Sequence, residues 1–428
     1  MISFFGKLWR NKRGNTLAIA AACLPLFVGA AGLASDTIQW TMWKRQLQRA
    51  ADSAAIAGVY NRQNASGATT TTSAAVSHDL TLNLHTFYSL KTGFPTVSFP
   101  ANSGVMTNQV SVSVAIQQPL SFSSLFMTTA PTITATSTAA SIPAGGSACI
   151  EALVNTANAT GITNSGNTTI NAPNCILYSN SPSTNSASAG GSSSVTARSI
   201  AAVGGIQQSN NWIVQQYLPY SPALADPFAN VTPDPNAMTC TASALDANTN
   251  FNSLPAGTNC FSSLSVGSNK TLNVPANFGP IYINGGSVDL KGTFNCSGCS
   301  IVMTNKSTAA NATIGSYSSN AQASNNITAP TSGTYKGIAV YQDRRATGQT
   351  DKINGGSSSV ITGALYFPKD TLWINGGGTV TSLCAMFVAW QIVFTGNSGI
   401  ALSSPDDSAC VSSGMPSNAS VRMVRLVG

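Results

Sequence analysis

The stretch INGGSSSVITGALYFPKDTLWINGGGTVTSLCAMFVAWQIVFTGNSGI, residues 353–400, repeats a short unit. Asn354-Gly-Gly and Asn375-Gly-Gly lie 21 residues apart, Ala364-Leu-Tyr-Phe and Ala385-Met-Phe-Val recur at the same interval, and Val360, Val380 and Ile400 recur every 20. A fixed short period is the mark of a solenoid, in which each copy buries its apolar face against the next. Asn and Gly accept left-handed backbone at each corner, leaving the strands between them free to stack. A parallel β-helix is predicted; the competing fold is a β-sandwich, whose hairpin turns would use the same residues.

Working upstream, Gly166-Asn167, Gly190-Gly191 and Asn284-Gly-Gly are degenerate copies of the corner, and apolar strands at 281–283, 301–303, 338–341 and 372–374 lie between corners. This repetitive character covers 143–428. Before it, Val110, Val112, Val114 and Ile116 alternate with polar residues, the pattern of a half-buried strand, and TITATST at 132–138 reads as a second. Residues 61–77, NRQNASGATTTTSAAVS, read as a loop or a loosely ordered bridge. A helix ahead of these strands makes 36–142 a small α+β module.

The N-terminus has a different chemistry. TLAIAAACLPLFVGAAGLAS, residues 16–35, is 20 residues without a charge, the length that spans a hydrocarbon core. Pro25 sits inside it, and the basic segment 1–15 before it favours a cytoplasmic N-terminus with the bulk of the chain outside. The helical pattern continues through Trp40, Trp43, Leu47, Ala50, Ala51, Ala54 and Gly58. A retained transmembrane helix therefore fits better than a cleaved signal peptide at Gly32-Leu33-Ala34. Pro25, Asp36, Trp40, Trp43, Lys44 and Arg45 are the expected membrane-anchor residues, the tryptophans at headgroup level. Leu47, Ala50, Ala54 and Gly58 form a small-residue face suited to close helix contact.

Composition narrows the class. Only 8% of residues are charged, against roughly 25% in an average soluble domain, while 43% are hydrophobic, enough for a packed core. Of the net charge of +7, residues 1–62 supply +6, from eight cations against Asp36 and Asp52. No basic stripe remains for phosphates, and nucleic acid is excluded as a partner. Cys23 lies in the apolar span and eight cysteines follow it, an even set that suits disulfides in an oxidising compartment. Pairing neighbours closes short loops: Cys149 with Cys175, Cys240 with Cys260, Cys296 with Cys299 and Cys384 with Cys410.

Candidate chemistry is sparse. Cys296-Ser-Gly-Cys299 has redox or zinc spacing but neither the βαβ context nor two further ligands. His78 and His85, the only histidines, have Asp79 alone as a nearby carboxylate and are expected at or near the surface. Asp343, Asp351, Asp406 and Asp407 invite comparison with polysaccharide-cleaving β-helices, yet Glu151 is the only glutamate, and Asp343 is expected to pair with Arg344. No catalytic residue, metal site or cofactor is expected, and a small-molecule substrate is not indicated.

The run RGNTLAIAAACLPLFVGAAGLASDTIQWTMWKRQLQRAADSAAIAGV, residues 13–59, resembles the N-terminal domain of TadE/TadG-like Flp pilus-assembly proteins. The Arg13-Gly14-Asn15 entry, Pro25, Asp36 and the block at 47–55 carry that resemblance. CIEALVNTANATGITNSGNTTINAPNC, DPFANVTPDPNAMTC, APTSGTYKGIAVYQDRRA and INGGSSSVITGALYFP resemble the ectodomain of Tad-like envelope proteins. The resemblance implies a pseudopilin-like protein of the tight-adherence machinery, with the 36–142 module pilin-like. Two departures qualify it: Ile19 stands five residues after Gly14, where processed pilins carry Glu, and no Asp opens the Asp-x-Ser-x-Ser pattern of a von Willebrand A domain. The leading reading is a single-pass inner-membrane protein with a periplasmic ectodomain, a non-catalytic Tad/Flp assembly component whose partners are other Tad/Flp membrane proteins and the lipid bilayer. A cell-surface adhesin comes second and a polysaccharide-active enzyme third.

Overall fold

The computed structural model describes residues 15–64, 67–85, 87–320, 322–355, 359–376, 379–382, 384–397, 399–408, 410–416 and 420–428. The basic residues Lys7, Arg10, Lys12 and Arg13, with Gly14, lie outside the described residues. The protein is mainly β with one long apolar N-terminal helix, and it divides into two compact units, Met1–Ile142 with Val424–Gly428, and Pro143–Met423. The C-terminal residues thus return to the first unit, where the Thr138 carbonyl accepts from Val427 and the Thr138 amide donates to Gly428.

In the first unit, helix α1 (Asn15–Asn64) is followed by helix α2 (Thr69–Asn83). The loop read from 61–77 is therefore corrected: α1 persists to Asn64 and a second helix follows. Four threonines open α2, a poor helix-forming sequence. What holds it is Thr72, Val76 and Leu80, spaced four apart and buried. The strand Thr107–Gln117 pairs antiparallel with Thr96–Ser98 and with the first part of Thr132–Ala152, placing Val112 opposite Ser137 and Ile116 opposite Ile133. Val110, Val112, Val114 and Ile116 turn inward, and Leu47, Ala54 and Val59 of α1 complete the core with Val76 and Leu80.

In the second unit every strand pairing among the described residues is parallel. One ladder passes in order through Cys260–Phe261, Gly279–Asn284, Cys299–Thr304, Ile338–Gln342, Val360–Gly376, Ala385–Gly396, Thr132–Ala152, Thr169–Ser179, Ser194–Ala202 and Trp212–Leu218. The last repeat of the sequence pairs with the first, Phe387 opposite Ile150. The chain therefore enters this stack in its middle, builds out to the Trp212–Leu218 edge, and resumes from the opposite edge, where Cys240 bridges Cys260 and Leu245–Asp246 pairs with Leu264–Val266.

Strand alternation sorts the side chains into aligned rows. Ile281, Ile301, Val340, Leu365, Phe387, Ile150, Leu177 and Ile200 form one row and are all buried in the main core. The adjacent row runs Tyr282, Val302, Tyr341, Tyr366, Val388, Glu151, Tyr178 and Ala201. Part of this second row joins Phe228 and Met238 in a separate aromatic cluster, with Tyr341 stacked on Tyr366 at 5.2 Å between ring centroids.

The corners follow the repeat. Asn354 is opposite Asn375, and Gly376 opposite Gly396. Gly396, Gly166 and Gly191 have φ of +83°, +75° and +67°, and a Cβ on Gly166 would meet the Gly396 carbonyl oxygen at 2.9 Å, so these corners admit no side chain. The alignment of the repeat differs by one residue from the sequence spacing: Ala364 pairs with Met386, not Ala385. Asn273, Asn295 and Asn326 stack in register with amide-to-amide hydrogen bonds of 2.7 Å.

Candidate functional site

Helix α1 is long and apolar enough to cross a membrane. Ile19, Leu24, Leu26, Phe27, Val28 and Leu33 are all more than half exposed, which an aqueous surface would not favour in so dense a run. Pro25 lies inside the helix and cannot donate to the Ala21 carbonyl, a loss tolerated in membrane helices.

One turn past this apolar run, the side chains of α1 hold a loop. Asp36 is buried, and its carboxylate accepts hydrogen bonds from the Phe122 amide at 2.8 Å, the Ser123 amide at 2.6 Å and the Ser123 hydroxyl. Burial works against its charge, but the Ser123 hydroxyl and the two amides outweigh it and hold the carboxyl below its ordinary range. Gln39, one turn on, accepts from the Ser121 amide at 3.2 Å and hydroxyl at 3.0 Å. Trp40 is 41% exposed. Trp43 corrects the expectation: it is only 6% exposed, packed in the core of the first unit, because its spacing to Leu47, Ala50 and Ala54 sets it on the covered face. Lys44 donates to the Thr134 carbonyl, while Arg45 is exposed.

The small-residue face also differs from a free docking surface. Leu47, Ala50 and Ala54 are buried in the first unit's own core. A Cβ on Gly58 would meet Val110 Cγ1 at 2.8 Å and Val76 Cγ2 at 3.0 Å. Small residues here let α1 approach its own sheet and α2, which cover this face.

In the second unit the four neighbouring cysteine pairs come to disulfide distance, with Cα–Cα separations of 5.5 Å for Cys149 and Cys175, 4.2 Å for Cys240 and Cys260, 6.0 Å for Cys296 and Cys299, and 5.3 Å for Cys384 and Cys410. Thiol labelling of the unfolded, unreduced protein is expected to find Cys23 alone. Reduction is expected to lower stability by about 3 kcal/mol for each bridge that closes a loop of twenty or more residues. Labelling of further cysteines before reduction would show that the pairs are not oxidised.

His78 and His85 are exposed, and no metal-holding cluster exists among the described residues. Asp343 pairs with Arg345 at 2.7 Å rather than with Arg344, which reaches Asp226 at 3.2 Å and lies 5.3 Å from the Tyr366 ring centroid. Adjacent arginines at the end of a strand point apart, so one serves each carboxylate. Asp406 accepts from the Ser147 hydroxyl.

Asp351 and Glu151, both named from the sequence, turn out to be buried, and Asp370 joins Asp351. Asp351 and Asp370 are both fully buried and share the Gln342 amide at 3.1 and 2.6 Å. Burial drives the Asp351 carboxyl up to about 8, with Asp370 reinforcing the rise and the Tyr317 amide opposing it. Glu151 is fully buried beside Asn180, and burial with the nearby Asp226 pushes its carboxyl well up. No signal in the sequence marks the burial of these groups, since it comes from stacked strands. A cleft of about 320 Å³ lies near Glu151, lined by Asn180, Asp226, Arg344, Lys369 and Trp390 among others. Its charged groups are engaged with each other or with rings, Lys369 lying 5.4 Å from the Trp390 ring centroid.

No curated protein and no solved structure matches the chain. A family model described as Putative Flp pilus-assembly TadE/G-like matches residues 14–66, which comprise the apolar run, Asp36 and the covered face of α1. The N-terminal segment of this chain is thus similar to the TadE/G-like Flp pilus-assembly family, and together with its apolar helix it fits a membrane-anchored protein.

Proposed function

We propose that the protein is a non-catalytic, single-pass inner-membrane component of Tad/Flp pilus assembly, with its N-terminus in the cytoplasm and both units in the periplasm. The observation that carries this reading is the single unbroken helix that leads from an exposed apolar run into the covered core of a folded unit, within the segment similar to TadE/G-like proteins. The first unit, a helix laid on an antiparallel sheet, is then pilin-like, and the stacked parallel ladders of the second are a β-helix. The low charge of the chain and its paired cysteines suit an oxidising compartment. Other membrane proteins of the assembly meet α1 through its outward stripe, where Ile38 and Met42 are more than half exposed and Arg45 and Arg49 follow on the same side.

Protease added to intact cells is expected to spare both units, and protease added to spheroplasts to remove them while α1 stays in the membrane fraction. Mass spectrometry is expected to show residues 16–35 retained. Cleavage in intact cells would move the protein to the cell surface and favour the adhesin, and a mature N-terminus at Ser35 or Asp36 would remove the anchor.

A further inference from the structure

The loop that Asp36 holds has an unusual composition. Residues 117–129, QQPLSFSSLFMTT, contain no charge. Leu125 and Phe126 are 74% and 75% exposed and Met127 is 52% exposed, three adjacent apolar side chains at the tip of an ordered turn. The turn Ser123–Leu125 is closed by hydrogen bonds from the amides of Ser124, Leu125, Phe126 and Met127 to carbonyls three or four residues back, at 2.8 to 3.1 Å. A loop free in water has no reason to hold three large apolar groups outward on so well bonded a frame.

Its position on α1 supplies the reason. The Phe122 ring occupies the space where a Cβ on Gly32 would lie, and it meets the Phe126 ring edge-on at 5.3 Å. Asp36, one turn after Gly32, binds the backbone of Phe122 and Ser123. Gly32 belongs to the charge-free run and Asp36 is the first charge after it, so the loop is pinned across the end of the span, within about 6 Å along the helix axis. That is the depth at which apolar side chains enter the boundary between headgroups and acyl chains.

We propose that Leu125, Phe126 and Met127 insert into the outer face of the bilayer that α1 crosses, as a second membrane contact beside the helix. The occupant of this apolar patch is lipid, because the patch is continuous through Phe122 and Gly32 with the apolar surface of the span. The absence of charge in the loop removes the main cost of insertion. The contact fixes the first unit against the membrane surface, so that α1 cannot rotate freely under it. This rests on the span assigned under the proposed function, and the test separates the two.

The full-length protein is reconstituted into phosphatidylcholine and phosphatidylglycerol vesicles in three forms, each labelled with an environment-sensitive fluorophore at one free cysteine. These are the native Cys23, Phe126→Cys in a Cys23→Ser background, and Val105→Cys in the same background. Both new positions are exposed, so labelling does not disturb folding. Val105 lies in the turn closed between Ser103 and Met106, four residues before Gln109, whose carbonyl accepts from Arg62 at the end of α1 away from the span. Lipids carrying a nitroxide near the headgroup are expected to quench the Phe126→Cys label several-fold more than the Val105→Cys label, with blue-shifted emission, while deep nitroxides quench Cys23. Aqueous, unquenched emission at position 126 with quenching at Cys23 would overturn the loop insertion alone. Blue-shifted emission at 126 that lipid nitroxides do not quench would also overturn it, by showing that protein covers the patch. Loss of quenching at Cys23 would overturn the span itself.

Discussion

Replacing Ala54 with Leu is expected to destabilise the first unit by about 1–3 kcal/mol and to weaken assembly through the displaced helix rather than through loss of a partner contact. Ala54 is 0% exposed in a core that includes Leu47, Val76, Val110 and Val112. Three added carbons have no void to enter in an interior packed to crystal density, so α1 must move off the sheet. The fluorescence of Trp43, buried in the same core, reports the effect during denaturation of the full chain in micelles once Trp9, Trp40, Trp212, Trp373 and Trp390 are replaced with Phe in parent and variant alike. Replacing the exposed Arg45 with Ala is the comparison and is expected to leave the transition near its original midpoint. An Ala54→Leu protein that melts like the parent while assembly fails would restore the reading in which the small-residue face receives another helix.

Replacing Asp351 with Asn is expected to flatten the pH dependence of stability of the second unit. The Asp351 carboxyl is held up at about 8 against an ordinary value of 3.8. Between these values the folded protein binds a proton that the unfolded chain releases, so the group contributes less and less stability as pH rises, and the loss is complete above about 8. At 1.4 kcal/mol for each pH unit the loss amounts to a few kcal/mol. Asparagine keeps an oxygen for the Tyr317 amide and never ionises, at the cost of the bond that Asp351 accepts from Gln342. Denaturant midpoints measured at pH 5 and pH 9 are expected to fall between the two in both proteins, because the raised Glu151 carboxyl also titrates, and to fall by less in the variant. Equal falls in both would show that Asp351 is not the group that titrates.

Features that depend on near neighbours along the chain are legible in the residues alone. An uncharged run of 20 residues is long enough to cross a bilayer whatever the rest of the chain does, and strict alternation through Val110, Val112, Val114 and Ile116 demands a strand with one covered face. Cysteines 20 or 26 residues apart in a repeat of similar period come to lie on adjacent strands or corners, which is why neighbours meet. Tertiary structure decided the rest. Thr69–Asn83 is helical because Thr72, Val76 and Leu80 have a surface to bury against, a preference that its threonines lack alone. Trp43 suits a membrane interface and a protein core equally in chemistry, and Ala50, Ala54 and Gly58 permit close approach without stating what approaches. Both ambiguities ended only when the sheet covered that face. The pairing of Phe387 with Ile150, which joins the last repeat to the first, has no local signal, because hydrogen bonding between strands carries no record of the chain that separates them. The burial of Asp351 and Glu151, and with it the upward shift of both carboxyls, follows from that stacking and from nothing in the residues beside them.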